Sequence, residues 1–378
     1  MDPVNLLGSS NSLGFPAPYW FLILFKVIGF CLHMIFMNIF YVGILAAMLL
    51  YSIAGSNGKL LAAKVMRLMP IIIAYGVNFG IVPLLFMQVA YYKVFYPATI
   101  LMAWPWLSII ALLTIAYYGV YIYAIGLKSV PPALNTFRKI SGWISAVFFL
   151  LIGFFFANAM SLMTNLNSWE NIWHFTSVAG APLGIALNID DPTIWPRWLL
   201  MIGLALMTFS AYVIFNTFYF SRAESHEYKK WIVKLSSILF LLGSIWSALA
   251  GSWYVFGTWS PELRTYMLGG TISIMTYLTA ISPIIPLIFI LHAWRIKSIS
   301  KVNCLLICSG QVVVIILNAI SRQIVQNYEL GRFLDISSER VNTQWSPMIL
   351  FLILFLAGMG LIYWMLRQVV ISSQRETT

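Results

Sequence analysis

Long apolar runs constrain the fold of this chain more than any other feature. A transmembrane helix needs about 20 consecutive apolar residues, because the hydrocarbon core is about 30 Å thick and the backbone must satisfy its hydrogen bonds within the segment. The runs that meet this requirement cover about residues 19–53, 69–92, 97–125, 142–165, 197–220, 231–258, 265–293, 302–325 and 346–371. The sequence therefore predicts an all-α polytopic membrane protein with nine transmembrane helices.

The composition excludes the other broad classes of protein. Hydrophobic residues make up 61% of the chain and charged residues 9%, whereas a soluble domain carries roughly a quarter charged residues. Three cysteines cannot build a disulfide framework. The net charge of +11 arises from short basic clusters between the apolar runs, which is typical of membrane topology signals and not of a nucleic-acid surface. Membrane lipid is the predicted partner, and nucleic acid is not.

The basic residues also predict the orientation. Most of the 22 lysines and arginines lie in the loops after runs 1, 3, 5 and 7 or in the C-terminal tail. Because positive loops stay in the cytoplasm, we expect an outside N-terminus and a cytoplasmic C-terminus in a bacterial-type inner membrane. The predicted organisation is an extracytoplasmic segment 1–18, a helical bundle 19–371 and a cytoplasmic tail 372–378.

Two long connections are expected on the outer side, at about residues 166–196 and 327–345. Long loops often carry function. The first contains or adjoins Trp169, Trp173, Trp195 and Trp198. These indoles suit the headgroup layer, where a ring can be apolar and hydrogen-bonded at once. The loop is alternatively a docking platform for an extracytoplasmic partner.

Few ionisable residues fall inside the runs. All eleven carboxylates lie in loops, tails or run ends, which argues against a carboxylate proton relay or an acid-coupled cation transporter. We expect Lys26, near the outer end of run 1, to extend its ammonium to the headgroups. Arg322, near the end of run 8, either extends to the headgroups in the same way or binds a haem propionate or a quinone headgroup.

His33 is the best candidate for a metal ligand. It lies in run 1 within FCLHMIFMNIF, and an imidazole in hydrocarbon needs either a metal or a hydrogen bond. The alternative is a histidine that is satisfied by a hydrogen bond and binds no metal. The sequence contains no CxxCH motif, so we expect no covalent c-type haem on this chain.

Several segments resemble subunit I of the cytochrome bd quinol oxidases. LHMIFMNIFYVGILAAMLL resembles the family's first helix with its haem-binding histidine, and GVNFGIVPLLFMQVAYY resembles the second. ISGWISAVFFLLIGFFFANAMSLM is similar to the fourth helix. ELRTYMLGG is similar to an Arg-x-Met segment on the seventh, with Arg264 and Met267 as the closest residues. SRQIVQNYE is similar to the motif that ends the eighth, where Arg322 and Gln323 match.

The resemblance implies a b-type haem with His33 as its metal ligand, cofactor-binding roles for Arg264, Met267, Arg322 and Gln323, and contact with quinone. It departs from the family in the third run, ILMAWPWLSII, which lacks the family's glutamates, and in the fifth, RWLLMIGLALMTF, which lacks its histidine. We therefore expect no oxygen reduction by this chain on its own.

The predicted function is a bd-like membrane subunit of a respiratory electron-transfer complex. Such a subunit links the quinone pool to extracytoplasmic partners, either c-type cytochromes or iron-sulfur subunits. Two alternatives remain at the level of the sequence. One is a haem-free membrane anchor of a cytochrome complex. The other is a quinol-binding module or a transporter of another family.

Overall fold

The computed structural model describes residues 3–128, 134–220 and 224–375. Within these residues, nine helical segments are long and apolar enough to cross a membrane. The predicted fold class, an all-α polytopic membrane protein, is confirmed. Residues 1–2 of the predicted N-terminal segment and 376–378 of the predicted C-terminal tail lie outside the described residues.

The helices are named in chain order. They are α1 Tyr19–Ile53, α2 Gly55–Ala90, α3 Tyr92–Leu101, α4 Ala103–Lys128, α5 Thr136–Thr164, α6 Trp169–Thr176, α7 Ile194–Phe220, α8 His226–Ser252, α9 Pro261–Leu268, α10 Ser273–Ile281, α11 Ile284–Ile296, α12 Lys301–Gly331 and α13 Trp345–Arg375. A π-helical turn, Trp253–Thr258, follows α8. The segments that can cross a membrane are α1, α2, α4, α5, α7, α8 with its π-helical turn, α10 with α11, α12 and α13.

The helical hairpin α1–α2 differs from the prediction at its turn. The predicted second run began at residue 69, but α2 begins at Gly55. Gly55 has φ +61°, a left-handed conformation that glycine adopts without a steric penalty, so the chain reverses directly after α1. The stretch that carries Lys59 and Lys64 is therefore helical. This stretch was too polar to be predicted as a lipid-embedded segment. A hydropathy pattern detects only helices that lie in lipid, so it did not predict the helical turns before residue 69.

The seventh span is interrupted. The sequence predicted one run, 265–293, which contains Gly269, Gly270 and Pro283. In the structure, α9 ends at Leu268, and Gly270 has φ +65°. A second break separates α10 from α11 at Pro283, which has no N–H to donate to the helix. The segment that can cross the membrane begins only at Ser273 and continues to Ile296.

The bundle core is built around α1. Its largest apolar cluster joins buried residues of α1 and α2 to residues of α4, α5, α7 and α8, including Ile44, Met66, Phe149 and Phe209. A second cluster lies nearer the start of α1. It combines Phe21 and Phe25 with residues of α3, α5 and the segments that flank α12 and α13. Both termini of α1 are therefore fixed by neighbouring helices.

The N-terminal segment packs on the connection between α12 and α13. The Phe15 N–H donates to the Arg340 carbonyl at 2.8 Å, and the Asn342 N–H donates to the Phe15 carbonyl at 2.8 Å. Lys93 and Glu339 form an ion pair at 2.5 Å beside this pairing. Because α12 continues to Gly331, the connection covers residues 332–344 and is shorter than the predicted 327–345.

The other long connection, residues 165–193, contains short elements of its own. After α6, strands β1 Ser177–Val178 and β2 Ala181–Pro182 pair antiparallel. The loop folds back on the bundle, since the Ala186 N–H donates to the Leu101 carbonyl at 3.0 Å. It lies on the same side of the bundle as the junction of α3 and α4.

Candidate functional site

A buried ammonium group lies between α1 and α12. Lys26 is only 6% exposed, and its Nζ donates to Gln323 Oε1 at 2.7 Å and to Gln326 Oε1 at 2.6 Å. The Nζ also lies 4.6 Å from the centre of the Tyr91 ring. The expectation that Lys26 extends to the headgroups is wrong. Two amide oxygens and an aromatic face satisfy the ammonium inside the protein, where an unpaired donor would be costly.

A hydrogen-bonded network continues from Lys26 towards the start of α1. Gln323 Nε2 donates to Tyr91 Oη at 2.8 Å and to Asn327 Oδ1 at 2.7 Å. Tyr91 Oη and Tyr19 Oη each donate to the same Asn327 oxygen, at 2.7 and 3.1 Å. Burial raises the pKa of Tyr91 well above its usual range, so the phenol keeps its proton and remains a donor.

Arg322 and Gln323 are neighbours on α12 but face different surroundings. Gln323 points to Lys26, whereas the Arg322 guanidinium lies 5.1 Å from the centre of the Phe30 ring and is exposed on the outer surface of the chain. Neither Arg322 nor Lys26 has a carboxylate partner among the described residues. Two basic side chains thus lie near one face of α1 without a carboxylate in ion-pair contact.

The nearest acid on α12 is already paired. Glu329 Oε1 lies 2.5 Å from Arg197 Nη2, and Arg197 Nε donates to Tyr254 Oη at 3.0 Å. This ion pair joins the first turn of α7 to the last turns of α12, and Tyr254 comes from the π-helical turn. The ion-pair partner of Glu329 is therefore Arg197.

His33 lies on the same face of α1 as Lys26, about 10 Å further along the helix at 1.5 Å per residue. Its Nδ1–H donates to the Gly76 carbonyl on α2 at 2.7 Å. A Cβ atom on Gly80 would approach His33 Nδ1 to 2.8 Å, so the imidazole fits only because residue 80 is glycine. The ring is half-buried, and within the described residues its Nε2 makes no hydrogen bond.

The geometry of His33 is compatible with an axial ligand. A ligating histidine usually donates its second ring N–H to a carbonyl or carboxylate, which fixes the tautomer with a lone pair on the other nitrogen. The hydrogen bond from Nδ1 to Gly76 has this effect on Nε2. The hydrogen bond to Gly76 therefore leaves Nε2 of His33 able to act as one axial ligand, and Arg322 lies on the same side of the bundle.

Met267 and Arg264 lie apart from His33. Both belong to α9, where Met267 is buried with Trp259, Leu263 and Val325 in a small cluster that contains no residue of α1 or α2 in the described part of the chain. Arg264 is half-buried on the same helix. The structure thus brings Arg322 and Gln323 close to the Lys26–His33 face and places the other two predicted residues on a separate helix. Their cofactor roles stay predictions.

The described residues contain no group of three or more His, Cys, Asp or Glu side chains that could hold a metal ion. A haem differs from such a site, because the porphyrin supplies most of the coordination and the protein needs only one or two axial ligands. His33 is thus the residue of this region with the chemistry for that role.

Sequence reasoning missed a second polar cluster, deeper in the bundle. Asn38 Nδ2 and Gln311 Nε2 donate to Thr208 Oγ1 at 3.1 and 3.0 Å, and Thr208 Oγ1 donates to the Leu204 carbonyl at 2.8 Å. All three side chains are buried, and they join α1, α7 and α12. Asn38 Oδ1 and Gln311 Oε1 have no hydrogen-bond partner among the described residues.

The eighth apolar run of the sequence contains amide residues that indicate both the Lys26 cluster and the Thr208 cluster. Gln311, Gln323, Gln326 and Asn327 are amides in an otherwise apolar segment, and the last three share one helical face by their i, i+3 and i+4 spacing. Amides in hydrocarbon require interhelical partners. The spacing predicts a polar seam on α12, although it does not identify Lys26 and Thr208 as the partners.

No protein-family model matches the chain, and no curated protein matches it.

Proposed function

We propose that this chain is the integral membrane subunit of a respiratory electron-transfer complex, similar in design to subunit I of the bd quinol oxidases. In this proposal it holds one b-type haem through His33 and links the quinone pool to extracytoplasmic c-type cytochromes or iron-sulfur subunits. It does not reduce oxygen on its own, because the glutamates and the second histidine of the oxidase family have no counterparts in its third and fifth runs.

The observation that carries the proposal is the fixed tautomer of His33. The Gly76 carbonyl accepts the Nδ1 proton at 2.7 Å, which leaves the Nε2 lone pair free on a half-buried ring. A ligating histidine is usually held in this way, by a hydrogen bond from its other ring nitrogen. A bound haem supplies reversible one-electron transfer, and the chain supplies the ligand and its orientation.

The charges of the region support the same function. Lys26 and Arg322 lie on the α1–α12 side of the bundle without carboxylate partners among the described residues. The Nζ of Lys26 already donates to two amides, whereas the exposed Arg322 guanidinium favours an anionic or oxygen-rich group, such as a propionate or a quinone carbonyl. Carboxylates are confined to loops and helix ends in the described chain, which gives no support to a transporter with an acidic midplane site.

The test is a visible absorption spectrum of the purified native assembly, recorded reduced minus oxidised. We expect a b-type Soret and α band in the unmodified protein and its loss in His33→Ala. His292→Ala is the matched control, since His292 lies at the end of α11 on the opposite side of the bundle. Gly80→Ala should shift or weaken the signal while His33 is retained, because the added methyl displaces the imidazole.

The outcomes separate the alternatives. An unchanged spectrum in His33→Ala overturns the ligand assignment. A native assembly that contains c-type cytochromes or iron-sulfur subunits but no b haem identifies the chain as a haem-free anchor. Purification of the chain alone, with no redox partner, contradicts membership in an electron-transfer complex.

A further inference from the structure

The loop 165–193 presents apolar side chains on its outer face. Six large apolar side chains of this loop are exposed: Trp173, Phe175, Val178, Leu183, Ile185 and Ile189. We call this set the loop face. Phe175 is 90% exposed, which is unusual for a phenylalanine in contact with water. The loop contains no lysine or arginine.

The loop itself is folded, so this exposure does not reflect an unstructured segment. Trp169 is buried and its Nε1 donates to the Leu162 carbonyl at 2.9 Å. Ser161 Oγ and Asn188 Nδ2 donate to Asp191 Oδ2 at 2.5 and 3.0 Å, and the Asn188 N–H donates to Asn158 Oδ1 at 2.7 Å. Polar residues hold the inner side of the loop against α5.

The segment from Leu183 to Ile189 also exposes apolar side chains. Leu183, Ile185 and Ile189 are exposed and Leu187 is half-buried, whereas Gly184, Ala186 and Asn188 are buried. In a loop surrounded by water most exposed side chains would be polar, but these three are aliphatic.

The loop face is continuous with the lipid-facing surface of α4. The Trp104 N–H donates to the Gly184 carbonyl at 2.8 Å, and the Ala186 N–H donates to the Leu101 carbonyl at 3.0 Å. These bonds fix residues 184–186 beside the first turn of α4, where Trp104 is 68% exposed. Leu107, one turn further along, is also exposed. The exposed apolar surface of α4 therefore continues into residues 183–185 of the loop.

From this continuity we propose that the loop face is embedded in the outer leaflet of the bilayer, at the level of the headgroups and upper acyl chains, and that lipid is its partner. Residues 165–193 then act as an interfacial brace on α3, α4 and α5, not as an open platform for a soluble protein. Exposed aromatic and aliphatic side chains without basic residues fit the acyl boundary better than an anionic headgroup surface. This inference does not depend on the haem proposal.

Spin-label accessibility tests the inference. Single cysteines are introduced as Phe175→Cys and Ile185→Cys after replacement of Cys31, Cys304 and Cys308 by alanine, and each is labelled with a nitroxide in full-length protein in phosphatidylcholine nanodiscs. Leu107→Cys is the lipid-exposed control and Asp190→Cys the water-exposed control. Collision rates are measured with oxygen, which concentrates in lipid, and with a nickel chelate, which stays in water.

We expect both loop-face labels to give an oxygen-to-nickel ratio close to that of the Leu107 label and at least several-fold above that of the Asp190 label. A ratio equal to that of Asp190 at both positions overturns the inference, because the face is then in water. Protection from both reagents in the native assembly, with nickel access in the isolated chain, also overturns it in favour of a protein partner. The use of two positions guards against a local disturbance by either label.

Discussion

Thr208→Val is the sharpest test of how the bundle is held together. Thr208 Oγ1 accepts hydrogen bonds from Asn38 and Gln311, which belong to two other helices. Valine keeps the shape and volume of threonine but removes the only acceptor of both amide N–H groups that the described residues show. The substitution therefore isolates the hydrogen bonds from packing.

The magnitude follows from two interhelical bonds. Each contributes about 0.6–2 kcal/mol within a membrane, so Thr208→Val should lower the free energy of unfolding by about 1–4 kcal/mol. Thr208→Ser keeps the hydroxyl and loses one methyl, at a cost of about 0.8 kcal/mol. In the Thr208→Val background the Asn38 amide has lost the partner that the structure gives it. Asn38→Leu should then recover about 1–3 kcal/mol, because a buried amide without a partner is removed.

The assay is reversible unfolding of the purified protein in mixed micelles with increasing dodecyl sulfate, followed by far-ultraviolet circular dichroism. Thr208→Val, Thr208→Ser and the double variant Asn38→Leu/Thr208→Val are compared with the unmodified chain. Two results would refute the reasoning. One is a Thr208→Val protein as stable as Thr208→Ser, and the other is a double variant less stable than Thr208→Val alone.

Two further predictions concern the orientation in the membrane and the Arg197–Glu329 ion pair. In intact spheroplasts, a tag after the last residue should resist external protease, because the basic loops predict a cytoplasmic C-terminus. An N-terminal tag should be digested. Digestion of the C-terminal tag would contradict the predicted orientation. Glu329→Gln should lower the free energy of unfolding by about 1–3 kcal/mol. This loss is smaller than the roughly 3–5 kcal/mol typical of breaking a fully buried ion pair, because the side chains of Arg197 and Glu329 are each about one-fifth exposed. The pair Arg197→Met/Glu329→Leu should recover most of this loss in the same unfolding assay, and a further loss would show that the two charges act separately.

The sequence predicted the helix bounds well where compatibility with the lipid bilayer is the main requirement on the residues. Hydropathy predicted α1 with the bounds 19–53 that the structure has, because every residue of that run must be compatible with hydrocarbon or its edge. It missed the first turns of α2, where Lys59 and Lys64 extend a helix outside the apolar run. It also misjudged Lys26, since the partners Gln323 and Gln326 are about 300 positions away in the chain and no local pattern connects them.

The two polar clusters have different chemistry, and this difference limits what the chain can do. The Asn38–Thr208–Gln311 cluster contains amides and a hydroxyl, which carry no charge and do not ionise near neutral pH. The Lys26 cluster and Arg322 contain basic side chains, and both lie nearer the start of α1 than His33 does. An anionic group would therefore find its hydrogen-bond donors near the start of α1, and the Asn38–Thr208–Gln311 cluster serves to join three helices.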